Sequence, residues 1–178
     1  MNKRINIKKI CITAVFTAII AALSQIAIPT PVVYITLQTL GIAIAAFLLS
    51  PLRAAAATVC YILLGATGVP VFAGFSAGVS VLLGPTGGFL FGFPIFAVGL
   101  SLVVYVNRPV GKITLCAASL LLLYILGVLQ YIIVTGNSAK AAILAFALYF
   151  IKDTAVLFAA YFLCVRIRRT LSGFIHPK

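Results

Sequence analysis

Two long apolar segments constrain the fold of this chain more than any other feature of its sequence. Residues 10–28 and 113–134 are apolar on every helical face, so neither has the polar side that a helix of a soluble protein presents to water. Each is close to the roughly 20 residues that a helix needs to cross a hydrocarbon core about 30 Å thick. The two segments therefore predict an integral membrane protein.

The composition favours the same class. The chain has 178 residues, of which 64% are apolar and 8% are charged, too few charges to cover the surface of a soluble domain of this length. We predict an all-α membrane protein that forms one transmembrane domain over residues 1–178. Its six transmembrane helices are expected over residues 9–28, 36–50, 54–69, 86–106, 113–134 and 143–166.

The basic residues predict the orientation of these spans. Most of the 13 Lys and Arg residues flank alternating ends of the spans, whereas Lys140 lies on the opposite side and Lys152 lies within a span. The positive-inside rule then places both termini in the cytoplasm, which requires an even number of helices. The charges form no patch beside aromatic residues, so we do not expect nucleic-acid binding. The flanking residues are Lys3, Arg4, Lys8, Lys9, Arg53, Arg108, Lys112, Arg166, Arg168, Arg169 and Lys178.

The segment over residues 65–92 differs from the rest of the chain because it is rich in glycine. Its eight glycines and two prolines do not favour one continuous helix. Non-helical backbone at membrane depth is tolerated where protein buries it or where it lines a cavity. We therefore predict an ordered Gly-rich outer loop that caps a pocket. A flexible exposed loop is the alternative, and the many apolar side chains of the segment make it less favourable.

The chain contains a single acidic residue, Asp153, and this excludes every mechanism that needs two carboxylates. The single histidine, His176, lies in the basic C-terminal tail, and residues 84–88 lack the Gly-Lys-Ser/Thr ending of a phosphate-binding loop. We therefore expect neither an enzyme nor a metal site. The four cysteines are interpreted as packing residues: Cys11, Cys60, Cys116 and Cys164.

Asp153 is expected in the outer half of the last span. It precedes Arg166 by 13 residues, which corresponds to about 20 Å of helix. An acid at this depth needs a partner or a wet cavity and usually marks a substrate path. The alternative is a structural role in which Tyr or Thr hydroxyls on neighbouring helices satisfy the carboxylate. We do not expect Lys152 to pair with it, because adjacent helical residues point about 100° apart.

Small residues recur every four positions along the first span, at Ala14, Ala18 and Ala22. This spacing places them on one face, where another helix can approach closely. The spacing alone fits docking of a partner subunit and packing within the bundle equally well.

Three segments of the sequence resemble one known family. They are PVVYITLQTLG over residues 31–41, GATGVPVFAG over residues 65–74 and LGPTGGF over residues 83–89. Together they resemble the BioY family, the biotin-specific S components of energy-coupling factor (ECF) transporters. The resemblance implies a six-helix S-component fold in a prokaryotic plasma membrane, and biotin bound from outside without a cofactor. It also implies a membrane scaffold (T) subunit and two ATP-binding subunits as partners, and docking through the alanine face.

The resemblance further implies that Asp153 contacts the ring system of biotin. Where the family often has a lysine one turn later, this chain has Val156, so Lys152 and then Lys140 are the candidate partners of the biotin carboxylate. Chemistry alone would also suit a cationic vitamin such as thiamine, and an S component for thiamine or riboflavin is the alternative. The predicted substrate-binding residues are Gln38, Phe72, Gly74, Phe75, Pro85, Thr86, Gly87, Gly88, Phe89, Gln130, Tyr131, Lys152 and Asp153.

Overall fold

The computed structural model describes residues 7–30 and 33–175, with side chains as far as Arg168. The predictions that involve Lys3, Arg4, Pro31, Val32, His176 and Lys178 lie outside these residues, as does the side chain of Arg169. The described chain is mostly helical. Its helices are α1 (Ile7–Gln25), α2 (Gln38–Leu48), α3 (Pro51–Ala66), α4 (Val79–Leu83), α5 (Gly87–Leu102), α6 (Pro109–Thr135) and α7 (Ala139–Ile175), and its strands are β1 (Ala27–Ile28) and β2 (Ile35–Thr36).

Among the described residues, four stretches are long and apolar enough to cross a membrane, and they correspond to four of the six predicted spans. They are Ile7–Gln25, Gly87–Tyr105, Pro109–Thr135 and Ala139–Arg168. The other two predicted spans correspond to α2 and α3, which are shorter apolar helices. At 1.5 Å per residue, α2 with 11 residues is about 16 Å long and α3 with 16 residues is about 24 Å long, both less than a full hydrocarbon core.

Local sequence signals explain where several helices begin and end. α3 and α6 each begin with a proline, whose missing N–H is not needed in the first helical turn. α6 ends at Thr135, and the next residue, Gly136, has the left-handed conformation typical of a helix C-terminus (φ 70°). The predicted first span extends three residues past α1, which ends at Gln25, because the chain then forms the antiparallel pair of β1 and β2.

The Gly-rich segment is not one continuous helix. Between α3 and α5 it contains a single 3₁₀ turn over Ala73–Phe75 and the short helix α4. Three of its glycines have positive φ, at positions 68, 74 and 78. The ring of Phe72, which is 2% exposed, packs where a side chain on Gly65 would otherwise lie. The segment is therefore fixed to α3 by a close approach that only glycine allows.

The short helix α2 lies at the centre of the bundle. It packs against α1, α5 and α7, and none of its residues is exposed. Small residues such as Ala43, Ala45 and Ala46 are fully buried and allow these neighbours to come close. The first two residues of α2, Gln38 and Thr39, are polar but buried.

Candidate functional site

A cavity of about 430 Å³ lies at one end of the bundle. We call this the loop end, because it carries residues 26–30 and 33–37, residues 67–86 and the turn between α6 and α7. The volume is within the range of about 300–1,000 Å³ usual for small-molecule sites. The lining combines apolar, aromatic and hydroxyl side chains, and comprises Pro29, Thr30, Val33, Tyr34, Thr36, Gln38, Thr39, Phe72, Ala73, Ser76, Val81, Pro85, Thr86, Phe89, Leu90, Phe93, Tyr124, Phe146, Tyr149, Lys152 and Asp153.

Asp153 is the central polar group of this cavity and is 5% exposed. Thr39 of α2 donates a hydrogen bond of 2.6 Å to its Oδ1 atom, and Tyr124 of α6 donates one of 2.6 Å to its Oδ2 atom. Hydroxyls of Thr and Tyr therefore satisfy the aspartate, which is the arrangement expected if it has a structural role. The same carboxylate also lines the cavity, so both features belong to one site.

Lys152 forms an ion pair with Asp153. Its Nζ atom lies 2.5 Å from Asp153 Oδ1 and donates a hydrogen bond of 2.8 Å to the carbonyl oxygen of Thr36. The expectation that these adjacent residues do not face each other is therefore wrong. Their Cα–Cβ directions do differ by about 100°, but the flexible four-carbon stem of lysine lets the ammonium group fold back to its neighbour.

Seven of the predicted substrate-binding residues line the cavity. Phe72, Pro85, Thr86 and Phe89 contribute to its apolar side, together with Gln38, Lys152 and Asp153 on its polar side. The Gln38 amide Nε2 donates a hydrogen bond of 2.8 Å to the hydroxyl of Tyr61, which in turn donates one of 3.2 Å to the carbonyl of Val71. Gln38 thus links the start of α2 to the Gly-rich segment.

The other predicted substrate-binding residues do not line the cavity. Gln130 donates hydrogen bonds of 2.8 and 2.9 Å to the carbonyls of Leu82 and Gly84, and so holds α4 against α6. A Cβ atom on Gly87 or Gly88 would lie inside the 3.0 Å that real Cβ atoms keep from other atoms, because α5 touches the backbone of Leu82 and Leu126 there. Gln130, Gly87 and Gly88 thus lie behind the residues that line the cavity and hold the surrounding helices in place.

Gly74, Phe75 and Tyr131 also lie outside the lining. Gly74 (φ 66°) and Phe75 (φ 57°) form a left-handed turn, and Phe75 is 71% exposed. The Phe75 N–H donates a hydrogen bond of 3.1 Å to the side chain of Gln25, which fixes this turn to the end of α1. The Tyr131 hydroxyl accepts a hydrogen bond of 3.1 Å from Asn137 in the α6–α7 turn.

Sequence reasoning did not single out the hydroxyl residues that surround the acid. Thr39 and Tyr124 bind Asp153 directly, while Tyr149 hydrogen-bonds both Thr30 and the carbonyl of Val33. One signal was available, because Tyr149 precedes Asp153 by four residues and must share its helical face. Thr39 and Tyr124 carry no such signal, since their proximity depends on how three helices pack.

The remaining predicted residues lie away from the cavity. Ala14, Ala18 and Ala22 are exposed on α1, whereas the opposite face of that helix buries Ile20 and Ser24. This exposure argues against the alternative that the alanine face packs within the bundle. Lys140, the second candidate for the biotin carboxylate, is exposed in the first turn of α7 and does not line the cavity.

The comparisons with known proteins agree with one another. The model of the BioY family matches residues 1–173. The biotin transporter BioY of Thermotoga maritima is 33% identical over 156 residues, which cover 87% of this chain and 92% of that protein. The biotin transporter BioY2 of Lactococcus lactis is 43% identical over 100 residues, which cover 54% of this chain and 55% of that protein.

A solved structure shares the fold. The crystal structure of the S component for biotin from an ECF-type ABC transporter superposes with a TM-score of 0.80 and covers 95% of each chain, at 20% sequence identity. The apolar helices and the transporter relatives make this chain a multi-pass membrane protein with the S-component fold. Because the family model matches nearly the whole sequence, the chain belongs to the BioY family.

Proposed function

We propose that this chain is the substrate-binding subunit of a biotin uptake transporter. One observation supports the proposal most strongly, the buried Asp153 that opens into a cavity of ligand size with apolar walls. Biotin combines a polar ureido head, an apolar thiophane ring and a chain that ends in a carboxylate. The cavity offers a partner for each of these parts.

The carboxylate of Asp153 suits the ureido group because it accepts hydrogen bonds and the ureido group has two N–H donors. A carboxylate has about four acceptor positions. Thr39, Tyr124 and Lys152 occupy three of them in this structure. Binding of both ureido N–H groups therefore requires that one of these donors leaves, and we propose that Lys152 does so.

The ammonium of Lys152 is then available to the carboxylate of the ligand. This proposal accounts for Val156, which stands where the family often has a lysine. The aromatic rings of Phe72, Phe89 and Phe93 line the same cavity and would enclose the thiophane ring and the aliphatic chain. Because Lys152 forms an ion pair with Asp153, a cationic vitamin such as thiamine would find no unpaired acid.

Calorimetry of the purified protein in detergent tests the function. We expect biotin to bind, while thiamine and riboflavin give no heat of binding. We also expect biotin amide, which lacks the negative charge, to bind about tenfold more weakly or worse, because it cannot form a charge-assisted hydrogen bond with Lys152. Binding of thiamine or riboflavin without binding of biotin would refute the proposal. Equal affinity for biotin and biotin amide would show that Lys152 does not bind the carboxylate of biotin.

The proposed membrane arrangement follows from the charges. Six spans, with α2 and α3 as short ones, keep most basic residues on one side and place both termini in the cytoplasm. The loop end then faces outward, so biotin enters from outside. We further propose that the chain delivers biotin when coupled to a T subunit and two ATP-binding subunits. The exposed face of Ala14, Ala18 and Ala22 is the proposed docking surface for the T subunit.

A bulky residue on this face should abolish uptake without affecting biotin binding. In Ala18→Trp the indole ring holds the partner helix away, and a loss of about 1.4 kcal/mol of docking free energy already lowers coupling tenfold. Uptake of labelled biotin by cells and calorimetry of the purified variant measure the two properties separately. The matched control is Ala159→Trp, an exposed alanine on α7, which should retain uptake. Loss of biotin binding in Ala18→Trp would show that this face packs within the bundle and does not dock the T subunit.

A further inference from the structure

A second concave site lies between α6 and α7, on the side of these helices that faces away from the bundle. It encloses about 650 Å³. Its lining is aliphatic and aromatic, and the Tyr124 hydroxyl, which points inward to Asp153, is the only side-chain polar group that its residues carry. We call it the α6–α7 groove, and its outermost residues are Leu121, Ile125 and Leu129 of α6 and Ile143, Ala147 and Ile151 of α7.

The groove opens into the hydrocarbon of the bilayer. α6 and α7 are both candidate membrane spans, and Ile125, Leu129 and Ile151 are each more than half exposed in the isolated chain. Along α6 the groove extends over 12 residues, from Leu121 to Ile132, or about 17 Å, which is close to half of a hydrocarbon core about 30 Å thick. The length of the groove therefore matches that of a phospholipid acyl chain in one leaflet.

A cation lies at the end of the groove that is nearest the membrane surface. The α7 residues of the groove recur at positions 143, 147 and 151. Lys140 precedes Ile143 by three residues and Ala147 by seven, so it continues the same helical stripe by one turn. It is exposed in the first turn of α7, at one end of this candidate membrane span. A lysine at such a position attracts anionic lipid by about 1 kcal/mol.

We propose that the α6–α7 groove binds one phospholipid, with an acyl chain between α6 and α7 and an anionic headgroup beside Lys140. This inference requires only that the chain spans a membrane, and it does not depend on biotin as the substrate. The groove also shares Tyr124 and Phe146 with the cavity, so one layer of side chains separates the two sites. A lipid in the groove therefore packs against the ring whose hydroxyl holds Asp153.

The chain contains no tryptophan, so one introduced tryptophan reports on lipid contact at a single position. Ile125→Trp places it in the groove. Leu148→Trp is the matched control, because Leu148 is 63% exposed, Ile125 is 52% exposed, and Leu148 does not line the groove. Both positions lie about 14–15 Å along their helices from the α6–α7 turn. Each variant is reconstituted into phosphatidylcholine vesicles with increasing fractions of brominated phosphatidylglycerol, which quenches tryptophan on contact.

At Ile125→Trp we expect the quenching curve to show a preference for the brominated anionic lipid of about fivefold over phosphatidylcholine, the ratio that corresponds to about 1 kcal/mol. Addition of Lys140→Gln should reduce the preference to about one, and Lys140→Arg should restore it. Leu148→Trp should show no preference in any of these backgrounds. Identical curves at the two positions would overturn the proposal. So would a groove tryptophan that no brominated lipid quenches, since a second copy of the chain would then fill the groove.

Discussion

Replacement of Asp153 by asparagine is expected to weaken biotin binding by about 100-fold or more. The asparagine amide presents N–H groups towards the ureido N–H donors, so charge-assisted hydrogen bonds worth about 1.5–3 kcal/mol each are lost, and every 1.4 kcal/mol is tenfold in affinity. Titration calorimetry of the purified variant measures this directly. Thermal unfolding without ligand shows whether the variant is folded.

The matched control for this variant is Thr154→Val. Thr154 is the next residue of α7, and its hydroxyl bonds only the carbonyl of Phe150 within its own helix. We expect this variant to bind biotin like the wild-type protein. If folded Asp153→Asn binds biotin within about threefold of wild type, Asp153 is not the acceptor of the ureido group, and its two hydroxyl contacts are purely structural.

Replacement of Gly88 by alanine is expected to destabilise the fold, because the close packing of α5 leaves no room for a methyl group there. The new Cβ atom would clash with the carbonyl oxygen of Leu126, which is backbone and cannot rotate away. Overpacking of this kind costs about 1–3 kcal/mol, and each kcal/mol lowers the unfolding temperature by about 2–4 °C for a chain of this size. Thermal unfolding in detergent measures the change.

Gly84→Ala provides the comparison. A Cβ atom at Gly84 would lie 3.2 Å from its nearest neighbour, the carbonyl oxygen of Ser80, so a small shift accommodates it. We expect its unfolding temperature to fall much less than that of Gly88→Ala. A Gly88→Ala protein with unchanged thermal stability and weakened biotin binding would mean that Gly88 contacts the ligand, as the family resemblance implies.

The membrane-spanning nature of the chain could be predicted from its sequence because it depends on local composition. Long apolar runs such as residues 113–134 must lie in lipid whatever the tertiary structure is. The boundaries of α6 follow equally local signals, a proline at the start and Gly136 at the end. Asp153 could be singled out for the same reason, since an acid in a span is conspicuous.

The surroundings of the acid could not be predicted in the same way. Thr39 and Tyr124 reach Asp153 from helices that are distant in sequence, and only the packing of α2, α6 and α7 brings them together. The contacts of Gln130, Gly87 and Gly88 depend on packing in the same way. The prediction that they bind the substrate stays a prediction; in the structure they lie outside the cavity lining and hold α4, α5 and α6 at close distance.

The ion pair between Lys152 and Asp153 has a consequence for how α7 enters the bilayer. A lone charge near the centre of a span opposes insertion by about 2.5–3.5 kcal/mol. Here both charges belong to one helix, and the two groups lie 2.5 Å apart, so each charge is neutralised within α7. We therefore expect α7 to enter the bilayer as a neutral segment. The rest of the chain then contributes the hydroxyls of Thr39 and Tyr124 and the carbonyl of Thr36 when it packs around α7.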